Sequence, residues 1–452
     1  MTDKTPTAGS PGKRAADRQI LALAVPAFGA LVSEPLFLLA DSAIVGRLGT
    51  IPLAGLGVAG AVLSSIAGAF VFLAYGTTAN VARRLGAGDW PGSLHLGLDA
   101  TWLAAGLGAV AATATWALAD PLAELFGAGP AVDEAAATYL RWAAPGLPAM
   151  FLVMATSGVL RGLHDTRTTL AVASSGAVVN AGLNLLLVHG IGLGIAGSAL
   201  GTTVTQVGMA AVMAGVVVAG ARRYGVPLAP RTHGVRAAAR TGVPLLIRTL
   251  SLRAVLVVTT GVAAALGPAQ LAAHQVASNV WTFLALTLDA LAIAAQALTG
   301  SALGAGDLEA TRAATTRMLQ WGVGGGVLLA ALLLAGRAVL PPLFSSDPQV
   351  HSALAAVLVV AALMQPLAGY VFVLDGVLIG AGDGRYLAGA GVVQTLAYVP
   401  IALGIGRFGP DGTAGLVLLW IAFAGAWMVS RAVLLGRRAH GTAWMVTGAH
   451  LP

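Results

Sequence analysis

Apolar runs long enough to cross a bilayer follow one another along the chain, separated by clusters of glycine, proline or charge. A membrane-spanning helix needs about 20 residues, whereas a strand of a membrane barrel needs about 10 with apolar and polar residues alternating. The runs are of the first kind, so the pattern predicts an all-α polytopic membrane protein. The twelve predicted transmembrane helices are 20–45, 51–78, 94–119, 137–160, 168–188, 195–219, 242–265, 271–298, 317–342, 353–379, 386–406 and 413–435.

Composition excludes a soluble protein. Of the 452 residues, 57% are hydrophobic and 10% are charged, and the mean hydropathy is +0.84. The net charge is +7, but the basic residues are scattered between apolar runs, so we expect no nucleic acid partner. The chain has no cysteine, which excludes disulfides and thiolate metal sites. Residues 1–19 are polar and are predicted to be a disordered cytoplasmic N-terminus.

The distribution of lysine and arginine predicts the orientation. With the N-terminus inside, 18 of the 25 basic residues fall in cytoplasmic segments, and the opposite loops hold four: Arg47, Arg141, Arg337 and Arg407. Cytoplasmic segments of membrane proteins are enriched in these residues. We therefore expect both termini in the cytoplasm and the protein in a cell inner membrane, as a monomer.

The chain also repeats itself at an offset of 218 residues. Leu85–Asp89 recurs as Leu303–Asp307, Val25-Pro26 as Val243-Pro244, and the Gly158–Gly162 segment as Gly376–Gly380. An ungapped register across six spans indicates two parallel six-helix lobes, related by a pseudo-two-fold axis along the membrane normal. The predicted organisation is an N-lobe at 20–221, a cytoplasmic linker at 222–241, a C-lobe at 242–436 and a cytoplasmic tail at 437–452.

Polar residues interrupt the first span. Glu34, Pro35 and Asp41 lie in an otherwise apolar stretch. A charged side chain at membrane depth costs at least about 2.5–3.5 kcal/mol, so such residues usually mark an ion or substrate path. Pro35 also removes a backbone hydrogen bond one turn earlier. Asp41 is therefore the first candidate for a functional residue.

Several polar residues of the first half have no polar copy in the second. At the 218 offset Asp41 corresponds to Thr259, Asn180 to Tyr398, Asn184 to Ala402 and Glu34 to Leu252. Counting residues along the spans places Asp41, Tyr139, Asn180, Asn184 and Thr202 in the outer half of the membrane. The two asparagines are four residues apart and share a helix face. Interhelical hydrogen bonding without a transport role is the alternative for the asparagines.

The charged residues inside the C-lobe spans call for partners. Arg253 is expected beside Glu34 by depth, and Arg248 near Asp289 or Asp375. Removing one partner of a buried pair costs about 3–5 kcal/mol, so these residues are predicted to be structural or gating. A second ion site is the alternative role for Asp289 and Asp375. Four deep acids against these two arginines leave Asp41 without a basic partner.

Catalytic signatures are missing. The chain has no Gly-x-Ser-x-Gly elbow, His-Glu-x-x-His pair or Walker loop, which disfavours a membrane-embedded enzyme. The Leu-Gly-Ala-Gly-Asp repeats follow helices rather than strands and are predicted to be turns, not phosphate loops. His274 next to Gln275 is predicted to be a buried structural group, with proton carriage as the alternative.

Three stretches carry a family resemblance: Glu34-Pro35-Leu36 through Asp41 to Gly49, Arg248-Thr249-Leu250, and Asp375–Asp383. They resemble the DinF branch of the multidrug and toxic compound extrusion (MATE) transporters, over nearly the whole chain. The resemblance implies two six-helix lobes, alternating access and export of organic, often cationic, compounds against a proton or sodium gradient. It also implies that Asp41, Tyr139, Asn180 and Thr202 form the proton-binding cluster and that the first helix bends at a proline, here Pro26 or Pro35. Archaeal relatives carry a second carboxylate where this chain has Asn184.

The function predicted from the sequence is a proton-coupled exporter with Asp41 as the coupling residue and no cofactor beyond the coupling ion. A sodium-coupled exporter of the same fold and a flippase for a lipid-linked precursor are the alternatives. Buried charges disfavour a purely structural membrane protein.

Overall fold

The structure is a computed structural model that describes residues 13–450. Eleven helices are long and apolar enough to cross a membrane, and a helix pair bent by 52° supplies a twelfth span. The number of predicted spans is therefore confirmed. The spans are α1 (Lys13–Gly46), α2 (Thr50–Gly86), α3 (Trp90–Ala117), α4 (Pro130–Gly162), α5 (Thr166–Gly190), α6 (Gly194–Arg223), α7 (Thr232–Ala265), α8 (Pro268–Gly304), α9 (Leu308–Gly336), α10 (Pro348–Leu363 with Gln365–Gly380), α11 (Gly384–Phe408) and α12 (Gly412–His440).

Some of these spans are subdivided. α2 is broken between Phe70 and Phe72, and α4 contains the 3-10 turn Ala144–Gly146. α5 ends in the π-helical turn Leu186–Gly190, and α12 contains the π-helical turn Ile421–Trp427. Two short helices, Ala119–Glu124 and Leu340–Phe344, precede α4 and α10.

The helices extend further than predicted at the end of the molecule that carries both termini, called here the termini side. α1 begins at Lys13, so residues 13–19 are helical and not disordered, while residues 1–12 lie outside the described residues. The Asp17 carboxylate explains the extension, because it accepts hydrogen bonds from Arg317 at 2.6 Å and from Trp321 at 2.8 Å. These contacts hold the first turns of α1 against α9.

The linker between the lobes is also shorter than predicted. α6 continues to Arg223 and α7 begins at Thr232, which leaves 224–231 between them. The side chain and backbone N–H of Arg231 both bind the buried carboxylate of Asp99 on α3, at 2.8 and 3.0 Å. This contact anchors the start of α7 on the N-lobe.

The two lobes repeat each other in the predicted register. Gly158 of α4 packs against Ala74 of α2, and Gly376 of α10 packs in the same way against Ala292 of α8. Gly376 lies 218 residues after Gly158, and Ala292 lies 218 residues after Ala74. A methyl group at either glycine would collide with the backbone of the neighbouring helix. The breaks in α4 and α10, at Gly146 and Met364, also correspond. Close packing over glycine therefore preserves the repeat.

The lobes meet at the termini side. Ser301 of α8 donates a hydrogen bond to the carbonyl of Ala82 at 3.2 Å, and Arg83 donates to the carbonyl of Ala381 at 2.8 Å. Arg83 also donates to the carbonyl of Gly448, whose own N–H donates to Leu303 at 3.0 Å. The C-terminal segment thus joins both lobes. Within residues 13–450, no side-chain hydrogen bond or ion pair joins the lobes near the opposite ends of the spans.

Candidate functional site

Asp41 lies at the centre of a polar cluster in the N-lobe. Its side chain is 1% exposed although it occupies a helix of mostly apolar residues. One carboxylate oxygen accepts hydrogen bonds from Ser198 and from the Asn184 amide, the latter at 2.8 Å. The other accepts from the hydroxyl of Tyr139 at 3.3 Å. Side chains from α1, α4, α5 and α6 therefore converge on one acid.

The two asparagines extend this cluster. The Asn184 amide also donates to the Asn180 side-chain oxygen at 3.2 Å, and the Asn180 amide donates to Thr202 at 3.3 Å. Both asparagines lie on one face of α5 because they are one helical turn apart. The structure thus brings together all five residues that the sequence placed at a common depth.

Ser198 is the member of the cluster that the sequence reasoning missed. It is fully buried on α6, four residues before Thr202 and on the same helix face. At the 218 offset its counterpart is Leu416, so Ser198 also breaks the repeat. That difference was the available signal.

The chemistry of the cluster is that of a carboxylate without a fixed counter-charge. Within residues 13–450 no lysine, arginine or histidine forms an ion pair with Asp41, and no group of three metal-binding side chains occurs. An isolated buried carboxylate is expensive to ionise. Tyr139, Asn184 and Ser198 all donate hydrogen bonds to it, and an ionised carboxylate is purely an acceptor. The Asp41 carboxylate therefore has donors suited to its ionised form and no cation that fixes it in that form.

The two prolines of α1 differ in whether another side chain binds the backbone carbonyl that each leaves without a donor. Proline removes the hydrogen bond to the carbonyl four residues earlier. For Pro26 that carbonyl is Ala22, which accepts from the Thr166 hydroxyl of α5 at 3.4 Å. For Pro35 it is Leu31, and no side chain within residues 13–450 donates to it. α1 is therefore less constrained at Pro35, which lies between its start at the termini side and Asp41.

A second buried acid, Asp375 of α10, has the opposite surroundings. Arg248 of α7 forms an ion pair with it, with one hydrogen bond of 3.1 Å, and Arg431 of α12 lies 3.5 Å away. All three residues are at most 9% exposed. Asp375 is one of the two partners predicted for Arg248. The Arg431 contact, from α12, was not predicted.

Asp289 is bound by the other lobe. The hydroxyl of Tyr75 on α2 donates to its carboxylate at 3.2 Å, and Arg161 of α4 lies within electrostatic range. The sequence placed Arg161 in a loop, whereas the structure buries it in the last turn of α4. The count of two deep arginines was therefore wrong. Asp41 still has no basic partner, since Arg248 and Arg431 pair with Asp375 and Arg161 forms no ion pair with Asp41 among the described residues.

The predicted Glu34–Arg253 pair is absent among the described residues. The Arg253 guanidinium lies against Gly68 of α2 instead. The reason is that α1 packs mainly on α5 and α8, while α7 packs mainly on α11, α3 and α2. Equal depth on α1 and α7 therefore did not bring the two side chains together.

His274 is satisfied structurally. The indole N–H of Trp420 donates to its Nδ1 atom at 3.2 Å, and Thr260 lies 3.1 Å from Nε2. These contacts agree with the buried structural role, and the histidine lies apart from the Asp41 cluster.

Two repeated six-helix lobes that enclose buried, unevenly compensated charges define a multi-pass membrane transporter. The MatE family profile matches residues 26–186 and 244–403, one match in each lobe. The chain belongs to the MatE family, the multidrug and toxic compound extrusion transporters.

Known proteins resemble the chain over most of its length. It is 31% identical to the chloroplastic protein DETOXIFICATION 44 of Arabidopsis thaliana, over 92% of this chain and 83% of the relative. It is 27% identical to DNA damage-inducible protein F of Escherichia coli, over 85% of this chain and 86% of the relative. A MOP superfamily transporter from Pyrococcus furiosus superposes with a TM-score of 0.86, covering 98% of this chain and 99% of that one at 22% identity, a likeness in fold.

Proposed function

We propose that this protein is a proton-coupled antiporter that exports organic, often cationic, compounds across a cytoplasmic membrane, with Asp41 as the coupling residue. The observation that supports the proposal is a buried carboxylate that meets three hydrogen-bond donors and no fixed cation. Such a group holds a proton in one state and releases it in another. Coupling requires two conformations with different proton affinity.

The proton acts through α1. When Asp41 is ionised, Tyr139, Asn184 and Ser198 all donate to it and hold the outer part of α1 against α4, α5 and α6. Protonation turns one carboxylate oxygen into a donor, so these donors lose part of their acceptor. The segment beyond Pro35 is then free to change its path, because the carbonyl of Leu31 has no substitute partner. This movement would alter the space between the lobes that substrate occupies.

The orientation supports export. The basic residues are concentrated at the termini side, which favours a cytoplasmic location for both termini. The lobes are joined there, so this conformation corresponds to one that is closed to the cytoplasm. Substrate release to the outside and proton uptake from the outside then use the same conformation.

Sodium is the second candidate for the coupling ion, on one observation. The side-chain oxygen of Asn184 is buried and has no hydrogen-bond donor within residues 13–450. Sodium prefers oxygen ligands, and turning the amide over would present this oxygen to a cation beside Asp41. The amide nitrogen faces the carboxylate in this structure, which favours the proton.

The test is substrate-driven proton flux in proteoliposomes, with and without sodium, for wild type, Asp41→Asn and Thr259→Val. Asp41→Asn keeps the shape of the side chain but cannot ionise, so we expect it to insert normally and to lose uphill, pH-dependent export. Thr259→Val changes the equivalent residue of the C-lobe and should transport like wild type.

Two results would decide against the proposal. Uphill export by Asp41→Asn with the pH dependence of the wild type would remove Asp41 from coupling. Export that requires sodium and is insensitive to the proton gradient would select the sodium-coupled exporter.

A further inference from the structure

A cavity of about 280 Å³ lies between the lobes on the termini side, away from the Asp41 cluster. Gly76 and Ala79 of α2 form its N-lobe wall, and residues of α7, α10 and α11 form its C-lobe wall. A space of this size holds several water molecules or a group as large as phosphate. Its lining combines small and apolar residues with two arginines, Arg240 and Arg385.

Both arginines lack a protein partner. Within residues 13–450 neither Arg240 nor Arg385 forms an ion pair, and both side chains are exposed. Asp383 precedes Arg385 by two residues, but its carboxylate accepts a hydrogen bond from Arg438 at 2.6 Å. The rim of the cavity therefore carries two uncompensated positive charges.

The start of α11 adds backbone donors at the same place. Its first residue, Gly384, lines the cavity, and its N-cap residue Asp383 makes no side-chain cap. The equivalent residue in the N-lobe, Asp165, does cap α5 by accepting from Thr168 at 3.0 Å. Because Arg438 draws the Asp383 carboxylate away, the first N–H groups of α11 have no side-chain acceptor. Free N–H groups at a helix N-terminus favour an anion.

We propose that this cavity binds the phosphate of an anionic phospholipid from the leaflet on the termini side. Basic pockets between helices on the cytoplasmic side of membrane proteins bind anionic headgroups. A lipid fits better than a soluble phosphate, because Pro244, Leu245 and Ile379 give the cavity an apolar wall against which glycerol and the first acyl carbons pack. The occupant touches both lobes, so it stabilises the conformation in which they are joined.

Only the effect on the conformation of the lobes rests on the proposed function. Binding at the cavity does not depend on the coupling ion or on the transported compound. Binding is measured by native mass spectrometry of the delipidated full-length protein, titrated with phosphatidylglycerol or with zwitterionic phosphatidylcholine. The variants are Arg240→Gln/Arg385→Gln and, as a matched control, Arg222→Gln/Arg223→Gln. The control removes the same charge from exposed residues at the end of α6, outside the cavity.

We expect the wild type and the control to prefer phosphatidylglycerol. With about 1 kcal/mol for each arginine near an anionic headgroup, the cavity variant should bind it about 30-fold more weakly. Equal binding by the cavity variant and the control, or equal binding of the two lipids by the wild type, overturns the proposal. Displacement of phosphatidylglycerol by millimolar inorganic phosphate would overturn the lipid as the occupant and select a soluble phosphate. Thermal unfolding of each variant shows whether reduced binding reflects misfolding.

Discussion

The two lobes place equivalent residues in equivalent positions but fill them with different chemistry. At the 218 offset Asp41 and Asn180 become Thr259 and Tyr398, whose hydroxyl oxygens are 2.6 Å apart. The other cluster residues, Tyr139, Asn184, Ser198 and Thr202, become Val357, Ala402, Leu416 and Trp420. All four replacements are fully buried. The acid-centred polar cluster of the N-lobe is thus replaced in the C-lobe by four apolar side chains and one hydroxyl pair.

This difference shows that the backbone repeat does not require the same side chains in both lobes. Glycines at helix crossings hold both lobes in one architecture, since neither Gly158 nor Gly376 has room for a methyl group. The side chains at the equivalent outer site are not under that constraint. The N-lobe has Asp41 and Thr202 there, whereas the C-lobe has Thr259 and Trp420, and Trp420 packs against His274 and Phe423.

A second contrast concerns the two buried acids Asp41 and Asp375. Asp41 has donors and no cation, while Asp375 has two arginines. Replacing Asp375 by Asn leaves Arg248 and Arg431 buried without an anion, which should destabilise the fold by about 3–5 kcal/mol. Asp41→Asn, by contrast, should leave stability near that of the wild type. Thermal unfolding in detergent measures both, and equal melting temperatures for the two variants would contradict the contrast.

Ser198 tests whether the carboxylate needs all its donors. A hydrogen bond to a charged group contributes about 1.5–3 kcal/mol. If Asp41 is ionised in each transport cycle, as the proposed function requires, Ser198→Ala should lower coupled export at least about tenfold. The matched control is Ser42→Ala on α1, whose hydroxyl donates to the Leu38 carbonyl and not to Asp41. Export by Ser198→Ala at the rate of this control would show that the bond is dispensable.

The C-lobe counterpart should affect stability and not transport. The Thr259 hydroxyl donates to the Val255 carbonyl and so accepts from the Tyr398 hydroxyl. Thr259→Val removes that acceptor, which should cost about 1–3 kcal/mol of unfolding free energy. Export should be unchanged, because this site carries no ionisable acid. Thermal unfolding and vesicle efflux of the same preparation provide the measurement. A loss of export with unchanged stability would assign a transport role to the C-lobe site.

The repeated turns at the termini side offer the smallest contrast. Asp89 and Asp307 each cap the following helix at 2.8 Å, and Asp89 also binds Arg84. Replacing either by Ala should cost about 0.5–2 kcal/mol, with up to about 1 kcal/mol more at Asp89. Thermal unfolding should resolve this order, and a larger loss for Asp307→Ala would contradict it.

The extra loss at Asp89 should depend on pH. Burial raises the pKa of the Asp89 carboxyl, but the Gly92 N–H and Arg84 outweigh burial and lower it below the ordinary value. A carboxyl whose pKa is lower in the folded state stabilises the fold at pH values above its pKa in the unfolded chain. This contribution is lost as the pH falls through the pKa of the folded state. The two alanine variants should therefore converge in acid.

Much of the fold followed from order along the chain. Hydropathy determined the twelve spans, because a bilayer requires a certain apolar length whatever the packing. The 218 repeat determined the two lobes, and comparison of its copies pointed to Asp41, Asn180 and Asn184. Counting residues also placed Arg248 at the depth of Asp375. These are one-dimensional properties, and the sequence contains them directly.

Only the tertiary structure decided which side chains at a given depth meet. Depth is one coordinate, while the position of a helix in the membrane plane and its rotation about its axis come from packing. For that reason the sequence did not show that Arg431 lies beside Asp375 or that Tyr75 of the other lobe binds Asp289. It also did not show that Arg253 lies against Gly68 and not beside Glu34. Ser198 entered the Asp41 cluster in the same way, because α6 presents to α1 the face that also carries Thr202.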